Sequence, residues 1–153
     1  MNKELISDLA HVINEEVRTF HSLLDVLRSE QRAIVEDDIE EIERCVEAQR
    51  EVAVVAHELE SKRVHVVERI AEQSDIGDGN MSLGRLVKAL EGPKVEELAQ
   101  MRQKLLQLNE KIRSVSANNA FLIRQSLRYT ERCLDIITGQ SAAQRGVYGQ
   151  FGK

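Results

Sequence analysis

The sequence is poor in the residues that interrupt helices. It has one proline, and none of its eight glycines precedes Gly77. In the interior of a helix glycine costs about 1 kcal/mol and proline about 3 kcal/mol relative to alanine, so their absence favours long helices in the first half of the chain. The two cysteines, Cys45 and Cys133, are too few and too far apart for a disulfide framework or a metal knuckle. We expect both to be reduced thiols that pack as small hydrophobic side chains.

Two further absences exclude classes of protein. The net charge is −5, from 21 basic and 26 acidic residues, so nucleic-acid binding through bulk charge is not expected. The sequence has no run of about 18 apolar residues, and its N-terminal stretch lacks the apolar core of a signal peptide. We therefore expect a cytoplasmic protein without membrane insertion. The hydrophobic content of 42% is too high for a disordered chain.

Hydrophobic spacings of three and four residues predict three long helices. Asp38, followed three residues later by Glu41, is typical of a capping box and separates the first helix from the second. Gly92 and Pro93 precede the third, since proline suits the first turn of a helix. The predicted helices span about residues 3–35, 38–73 and 94–138, and Ser82 caps a short helix within residues 82–92.

The third helix has the clearest pattern, because its apolar positions form a continuous heptad seam. Long helices with short connections bury such stripes by running antiparallel. The predicted fold is all-α: an elongated antiparallel three-helix bundle, coiled-coil-like, with a short extra helix. Residues 1–138 are expected to form the bundle and residues 139–153 a flexible, glycine-rich C-terminal tail. The seam consists of Leu98, Met101, Leu105, Leu108, Ile112, Val115, Asn119, Leu122, Ser126, Tyr129, Cys133 and Ile136.

Two polar residues, Asn119 and Ser126, interrupt this seam. A polar seam residue often fixes the register of a helix at some cost in stability, which requires no partner protein. Alternatively, the bundle is thin here and leaves a groove for a helix from another protein, with apolar anchors beside hydrogen-bonding groups. The predicted anchors are Phe121, Leu122, Ile123 and Leu127, and the predicted polar contacts are Asn118, Asn119 and Ser126.

Residues that could support catalysis or metal binding are scarce. None of the four histidines has a glutamate three residues before it, as the helical di-iron sites require. None is followed by the pattern of a phosphotransfer histidine, and the glycines form no phosphate-binding loop. We predict no catalytic residues, no metal and no cofactor. The histidines are His11, His21, His57 and His65.

The C-terminal part of the chain is instead suited to protein contacts. Four of the five aromatic residues follow residue 120, and aromatic side chains are favoured at interfaces. Arg124, Arg128 and Arg132 recur every fourth residue and share one face. That face is either a solvated stripe near a helix C-terminus or a contact surface for an acidic partner.

Three segments resemble the FlgN family of flagellar type III export chaperones. IVEDDIEEIERCVEAQREV (residues 34–52) is similar to the turn between the family's first and second helices, where an acidic pair opens the second helix. LNEKIRSVSANNAFLIRQSLRYTERCLDII (residues 108–137) resembles its last helix, and GVYGQFG (residues 146–152) resembles a short element beyond that helix. The order and spacing of the segments, across nearly the whole length, make the combination more specific than any one of them.

This resemblance implies a cytoplasmic chaperone for the hook–filament junction proteins of the FlgK and FlgL type. Such a chaperone binds the disordered C-terminal helical segment of its substrate, prevents early assembly and delivers the substrate to the export gate. By similarity, the substrate would dock on the C-terminal part of the third helix. Its contacts would be the predicted anchors and polar residues between Asn118 and Leu127, together with Tyr129. Tyr148, Gly149 and Gly152 would dock to the gate protein FlhA.

The alternative from the residues alone is a coiled-coil structural or adaptor protein. In that interpretation the third helix pairs with a second copy, and Asn119 sets the register. A weak homodimer is compatible with either interpretation.

Overall fold

The computed structural model describes residues 2–77 and 80–139, which form four helices. They are α1 (Asn2–Val35), α2 (Ile39–Gln73), α3 (Leu83–Ala89) and α4 (Pro93–Thr138). The described residues contain no strand, which confirms the all-α class. The three long helices and the short one begin within one residue of the positions that caps and breakers predicted.

The helix ends follow from local side-chain and backbone chemistry. The Asp38 carboxylate accepts a hydrogen bond from the backbone N–H of Glu41 at 3.2 Å, and the Ser82 hydroxyl accepts one from the N–H of Arg85 at 3.2 Å. The Glu41 carboxylate pairs with Arg44 at 3.0 Å. Helix α4 ends at Gly139, whose φ of 69° lies in the left-handed region that glycine adopts without a steric penalty.

The largest hydrophobic cluster lies at one end of the molecule, where α3 packs against the long helices. It joins the N-terminal part of α1, the C-terminal part of α2 and the first turns of α4. This end has the most completely buried side chains, and α3 closes it. The cluster consists of Leu5, Leu9, Ile13, Val67, Ile70, Leu83, Leu86, Leu98 and Met101.

Helix α1 lies between the other two long helices. It runs antiparallel to α2 and parallel to α4, since α1 and α4 meet near their N-termini in the cluster and again at Asn119, which donates a hydrogen bond to Leu27. In the described residues no Cα of α2 lies within 8 Å of a Cα of α4. The closed form of the predicted three-helix bundle therefore stays a prediction, because α1 alone packs closely against both neighbours.

The C-terminal part of α4 extends beyond α1. With 46 residues α4 is about 69 Å long, and α1 with 34 residues is about 51 Å long, at 1.5 Å per residue. Leu122 still lines a shallow depression with Gln31 and Val35 at the end of α1. Beyond Ser126 most α4 side chains are exposed, as expected for a helix end without a neighbour.

The predicted tail begins where α4 ends. Residues 140–153, which include Tyr148, Gly149 and Gly152, lie outside the described residues. The division into a bundle and a flexible tail therefore stays a prediction.

Candidate functional site

The distal α4 segment, which we define as residues 118–138, contains all eight residues predicted to contact a substrate protein. Phe121 is 52% exposed, Leu127 60% and Tyr129 67%. Ile123 and Asn118 are also exposed, and Leu122 and Ser126 are half-buried. Contiguous groups of exposed apolar side chains are typical of protein-binding surfaces, so the distal α4 segment is a candidate site.

Asn119 differs from the other predicted contact residues, because its side chain points into the protein. It is 2% exposed. Its Nδ2 donates to the backbone oxygen of Leu27 at 2.9 Å and approaches Oε1 of Glu30 at 3.5 Å. The Asn119 side chain therefore fixes α4 against α1, as the register interpretation requires, and in this arrangement it does not face a partner.

Glu30 completes a buried polar layer between three helices. Its carboxylate accepts hydrogen bonds from Asn119 of α4 and from the Gln49 side chain of α2. Burial raises the pKa of Glu30, and the hydrogen bond from Asn119 partly opposes this effect. A buried polar layer of this kind sets the relative height of the helices, because a shifted register would break the hydrogen bonds that Glu30 accepts from Asn119 and Gln49.

Replacing Glu30 with glutamine is expected to change how stability depends on pH. Because the pKa of Glu30 is higher in the folded state, the wild-type carboxyl contributes fully to stability when protonated, below its ordinary pKa. That contribution is lost as pH rises through the raised pKa. Glutamine is neutral throughout, so the free energy of unfolding of the variant should improve relative to wild type as pH rises above 4.5, the ordinary pKa of a glutamate. Urea denaturation at several pH values measures this difference, and a difference that does not change with pH contradicts the prediction.

The exposed apolar residues of the distal α4 segment do not all lie on one face. Successive residues of a helix are about 100° apart, and one arc of about 160° on α4 holds five of the predicted contact residues. This apolar arc consists of Leu122, Ile123, Ser126, Leu127 and Tyr129. Phe121 lies about 160° from Ile123, on the side of the helix that carries the three arginines predicted to share a face. One bound helix can cover the arc but cannot also reach Phe121, so the predicted site divides into an apolar arc and an isolated aromatic side chain.

A groove between α2 and α4, with α1 as its floor, is a second concave surface. It has a volume of about 610 Å³. Glu16 and Arg63 lie in it, 2.9 Å apart, and Glu16 is 5% exposed on its side chain. Burial raises the pKa of Glu16, while the charge of Arg63 opposes this shift. Its apolar lining includes Phe20, Leu23, Ala53, Ala56, Leu83, Leu105 and Leu106.

This groove and its ion pair were not predicted from the sequence. The sequence does contain a sign of the ion pair, which is an acidic residue on the apolar stripe of α1. Glu16 lies three residues after Ile13 and four before Phe20. Glu30 lies in the same way between Leu27 and Ile34. An acidic residue at such a position must find a partner when the stripe is buried.

Sites for catalysis or metal ions are not found in the described residues. All four histidines are exposed, and no group of three or more His, Cys, Asp or Glu side chains there could hold a metal ion. Cys45 and Cys133 are free thiols. Within residues 2–77 and 80–139, no helix is both long and apolar enough to span a membrane.

Comparison with known proteins identifies the family. A sequence model described as FlgN protein matches residues 1–153, the whole chain. The chain belongs to the FlgN family. Searches of curated proteins and of solved structures found no match. The FlgN family is a family of flagellar export chaperones and not of enzymes, and its members bind flagellar hook-associated proteins.

Membership of the FlgN family gives the exposed surfaces a general function. An export chaperone acts by holding another protein, so its functional residues form a binding surface and not a reaction centre. The apolar arc of the distal α4 segment and the groove between α2 and α4 are the two candidate surfaces of this FlgN-family chain.

Proposed function

We propose that this FlgN-family chaperone holds the disordered C-terminal helical segment of hook–filament junction proteins on the apolar arc of its distal α4 segment. Binding there keeps the substrate from assembling early, in the cytoplasm, until it reaches the export gate. The observation that supports this proposal is the exposure of Leu127 and Tyr129 on a helix end that extends beyond α1.

The chemistry of the arc suits a substrate that folds as it binds. A segment that is disordered when free must offset its ordering entropy by burying apolar surface. The arc offers Ile123 and Leu127 as anchors, with Ser126 between them and Leu122 as a hydrogen-bonding group. The substrate segment would then form a helix that packs against α4. Its apolar residues, three and four positions apart, would contact the anchors of the arc.

Leu127→Ala is expected to weaken substrate binding, whereas Phe121→Ala is not. Truncating an apolar anchor that is buried in an interface typically costs about 2 kcal/mol, or roughly thirtyfold in the dissociation constant. Calorimetric titration of a junction-protein C-terminal peptide into the full chain measures both variants. Phe121 is the matched control, since it is a comparably exposed apolar side chain on the same helix but outside the arc. Equal affinity for wild type and Leu127→Ala, or an equal loss in both variants, contradicts the proposed site.

We also propose that the tail serves a second partner, the export gate protein FlhA. The resemblance assigns this role to Tyr148, Gly149 and Gly152, which lie outside the described residues. The tail carries Arg145 and Lys153 and no acidic residue. In this proposal the substrate binds to α4, and the gate protein binds to the tail that follows α4.

Tyr148→Ala is expected to reduce binding to the gate protein and to leave substrate binding unchanged. The reason is that the tyrosine follows the end of α4 by ten residues and does not belong to the proposed arc. Two titrations, one with the substrate peptide and one with the soluble part of the gate protein, test this. A parallel loss in both would show that the two functions are not separated along the chain.

The alternative function, a coiled-coil adaptor that dimerises through its last long helix, also has an observation in its favour. Part of the exposed surface of α4, from Ala120 to Ile137, has the spacing of a coiled-coil seam. Asn119 does not set the register of such a dimer, because its side chain is bonded to α1. We favour the chaperone because the family match covers the whole chain.

A further inference from the structure

Helix α4 carries a second heptad seam beside the one that faces α1. Its members are spaced 3, 4, 3, 4 and 3 residues apart, as a two-stranded coiled coil requires. All six are exposed, and none is covered by α1 or α2. This second seam consists of Ala120, Ile123, Leu127, Thr130, Leu134 and Ile137.

The second seam is confined to the C-terminal part of α4. The preceding positions of the same spacing are Ser116 and Arg113, both polar and exposed. At its centre, the Thr130 hydroxyl donates to the backbone oxygen of Ser126 at 3.0 Å, so the residue can present its methyl group to a partner without leaving a polar atom unpaired. The apolar strip is therefore about 27 Å long and has two defined ends.

The order of residues in the second seam is self-complementary when two copies run antiparallel. With the centre between Leu127 and Thr130, each of these two residues faces the other on the partner copy. Antiparallel coiled coils pair one type of core position with the other type, and this register does so in every layer. The layers are Ala120 with Ile137, Ile123 with Leu134, and Leu127 with Thr130, each formed twice.

Charges beside the second seam match the same register. Arg124 and Glu131 occupy equivalent flanking positions, seven residues apart, and on antiparallel copies they lie opposite each other. Neither forms an ion pair within the part of the chain that the structure describes. The twofold symmetry of a dimer creates two such pairs, and opposite charges at these positions select orientation and partner.

We propose that the second seam is an interface between two copies of this chain, antiparallel and centred between Leu127 and Thr130. Six short layers make a weak, concentration-dependent dimer, since a short coiled coil buries little area. The dimer is inferred from the chain alone and does not depend on the proposed function. Its consequence for that function is that a second copy and a substrate helix compete for Ile123 and Leu127.

Charge-reversal variants test the interface by sedimentation equilibrium of the full chain over a hundredfold range of concentration. Arg124→Glu is expected to raise the dimer dissociation constant about tenfold, because two attractions become two repulsions. The double change Arg124→Glu with Glu131→Arg should restore the wild-type constant. The matched control is Arg128→Glu, which reverses the same charge on the same helix away from the second seam and should leave the constant unchanged.

Cross-linking tests the orientation separately. In chains with Cys45→Ser and Cys133→Ser, a mixture of Ile123→Cys and Leu134→Cys proteins should give mostly the mixed disulfide, whereas parallel pairing gives like with like. A monomer at every concentration overturns the proposal, and this includes a monomer in which residues 140–153 cover the second seam. Equal effects of Arg124→Glu and Arg128→Glu, or no restoration in the double variant, also overturn it.

Discussion

Replacing Arg63 with alanine is expected to lower the free energy of unfolding by about 3–5 kcal/mol. The Glu16 carboxylate is almost completely buried, and Arg63 lies 2.9 Å from it across the contact of α1 and α2. Removing the guanidinium leaves a buried charge without its partner. The burial that already raises the pKa of Glu16 then acts without opposition from Arg63.

Urea denaturation followed by circular dichroism measures the effect of Arg63→Ala. The matched control is Arg69→Ala on the same helix, an exposed arginine whose loss should change stability by less than about 0.5 kcal/mol. The double variant Glu16→Gln with Arg63→Met should recover most of the loss, because replacing a buried ion pair with neutral side chains of similar volume is often tolerated. Similar values for Arg63→Ala and Arg69→Ala would mean that the pair is not a significant part of the fold.

The double variant Ile123→Asp with Leu127→Asp is expected to reduce substrate-peptide affinity by about a hundredfold or more, with little change in stability. Both side chains are exposed in the free chain, so the carboxylates remain hydrated there. In the complex each carboxylate would have to be buried without a partner, which typically costs several kcal/mol. Calorimetry of the peptide gives the affinity, and thermal denaturation gives the stability.

A matched control for this variant exists on α2. Val54 is 59% exposed and Val55 45%, so Val54→Asp with Val55→Asp introduces the same two charges at comparable exposure. That control should bind the peptide like wild type. If it loses affinity to the same degree, charge repulsion from an already acidic chain explains the result, and the apolar arc does not.

The helix ends could be predicted from the sequence because they depend on local chemistry. Asp38 and Ser82 cap their helices through their own side chains, and Gly139 permits the left-handed residue that ends α4. These interactions involve residues within three or four positions, so they require no knowledge of the tertiary structure. The all-α class followed from the hydrophobic spacings of three and four residues and from the scarcity of glycine and proline.

The faces of α4 could be predicted only in part, because two seams lie side by side on its distal segment. Periodicity identified the seam through Asn119, which packs against α1, and the exposed second seam was not recognised. Both seams have spacings of three and four residues, so periodicity does not distinguish them. The position of α1 decides which of the two seams is buried. Phe121 was predicted to be an anchor together with three other apolar residues, although its angle on the helix separates it from them.

Long-range polar contacts were beyond the sequence analysis for another reason. Glu30 with Asn119, and Glu16 with Arg63, join residues 89 and 47 positions apart. Their partners depend on how α1, α2 and α4 are aligned along their lengths, and periodicity leaves that alignment free. The structure gives these residues a role in the relative height of the helices. Glu30 and Asn119 lie next to the surface proposed for the substrate, and Glu16 and Arg63 lie in the groove between α2 and α4.

The most direct test of the proposed function is a titration of isotopically labelled full-length chain with a junction-protein C-terminal peptide, followed by backbone NMR chemical shifts. We expect the largest changes on the apolar arc, from Leu122 to Tyr129, with smaller changes towards Ile137 and none at Val54. Changes confined to Phe20, Ala53 and Leu83 in the groove between α2 and α4, with the distal α4 segment unaffected, would contradict the proposed docking site.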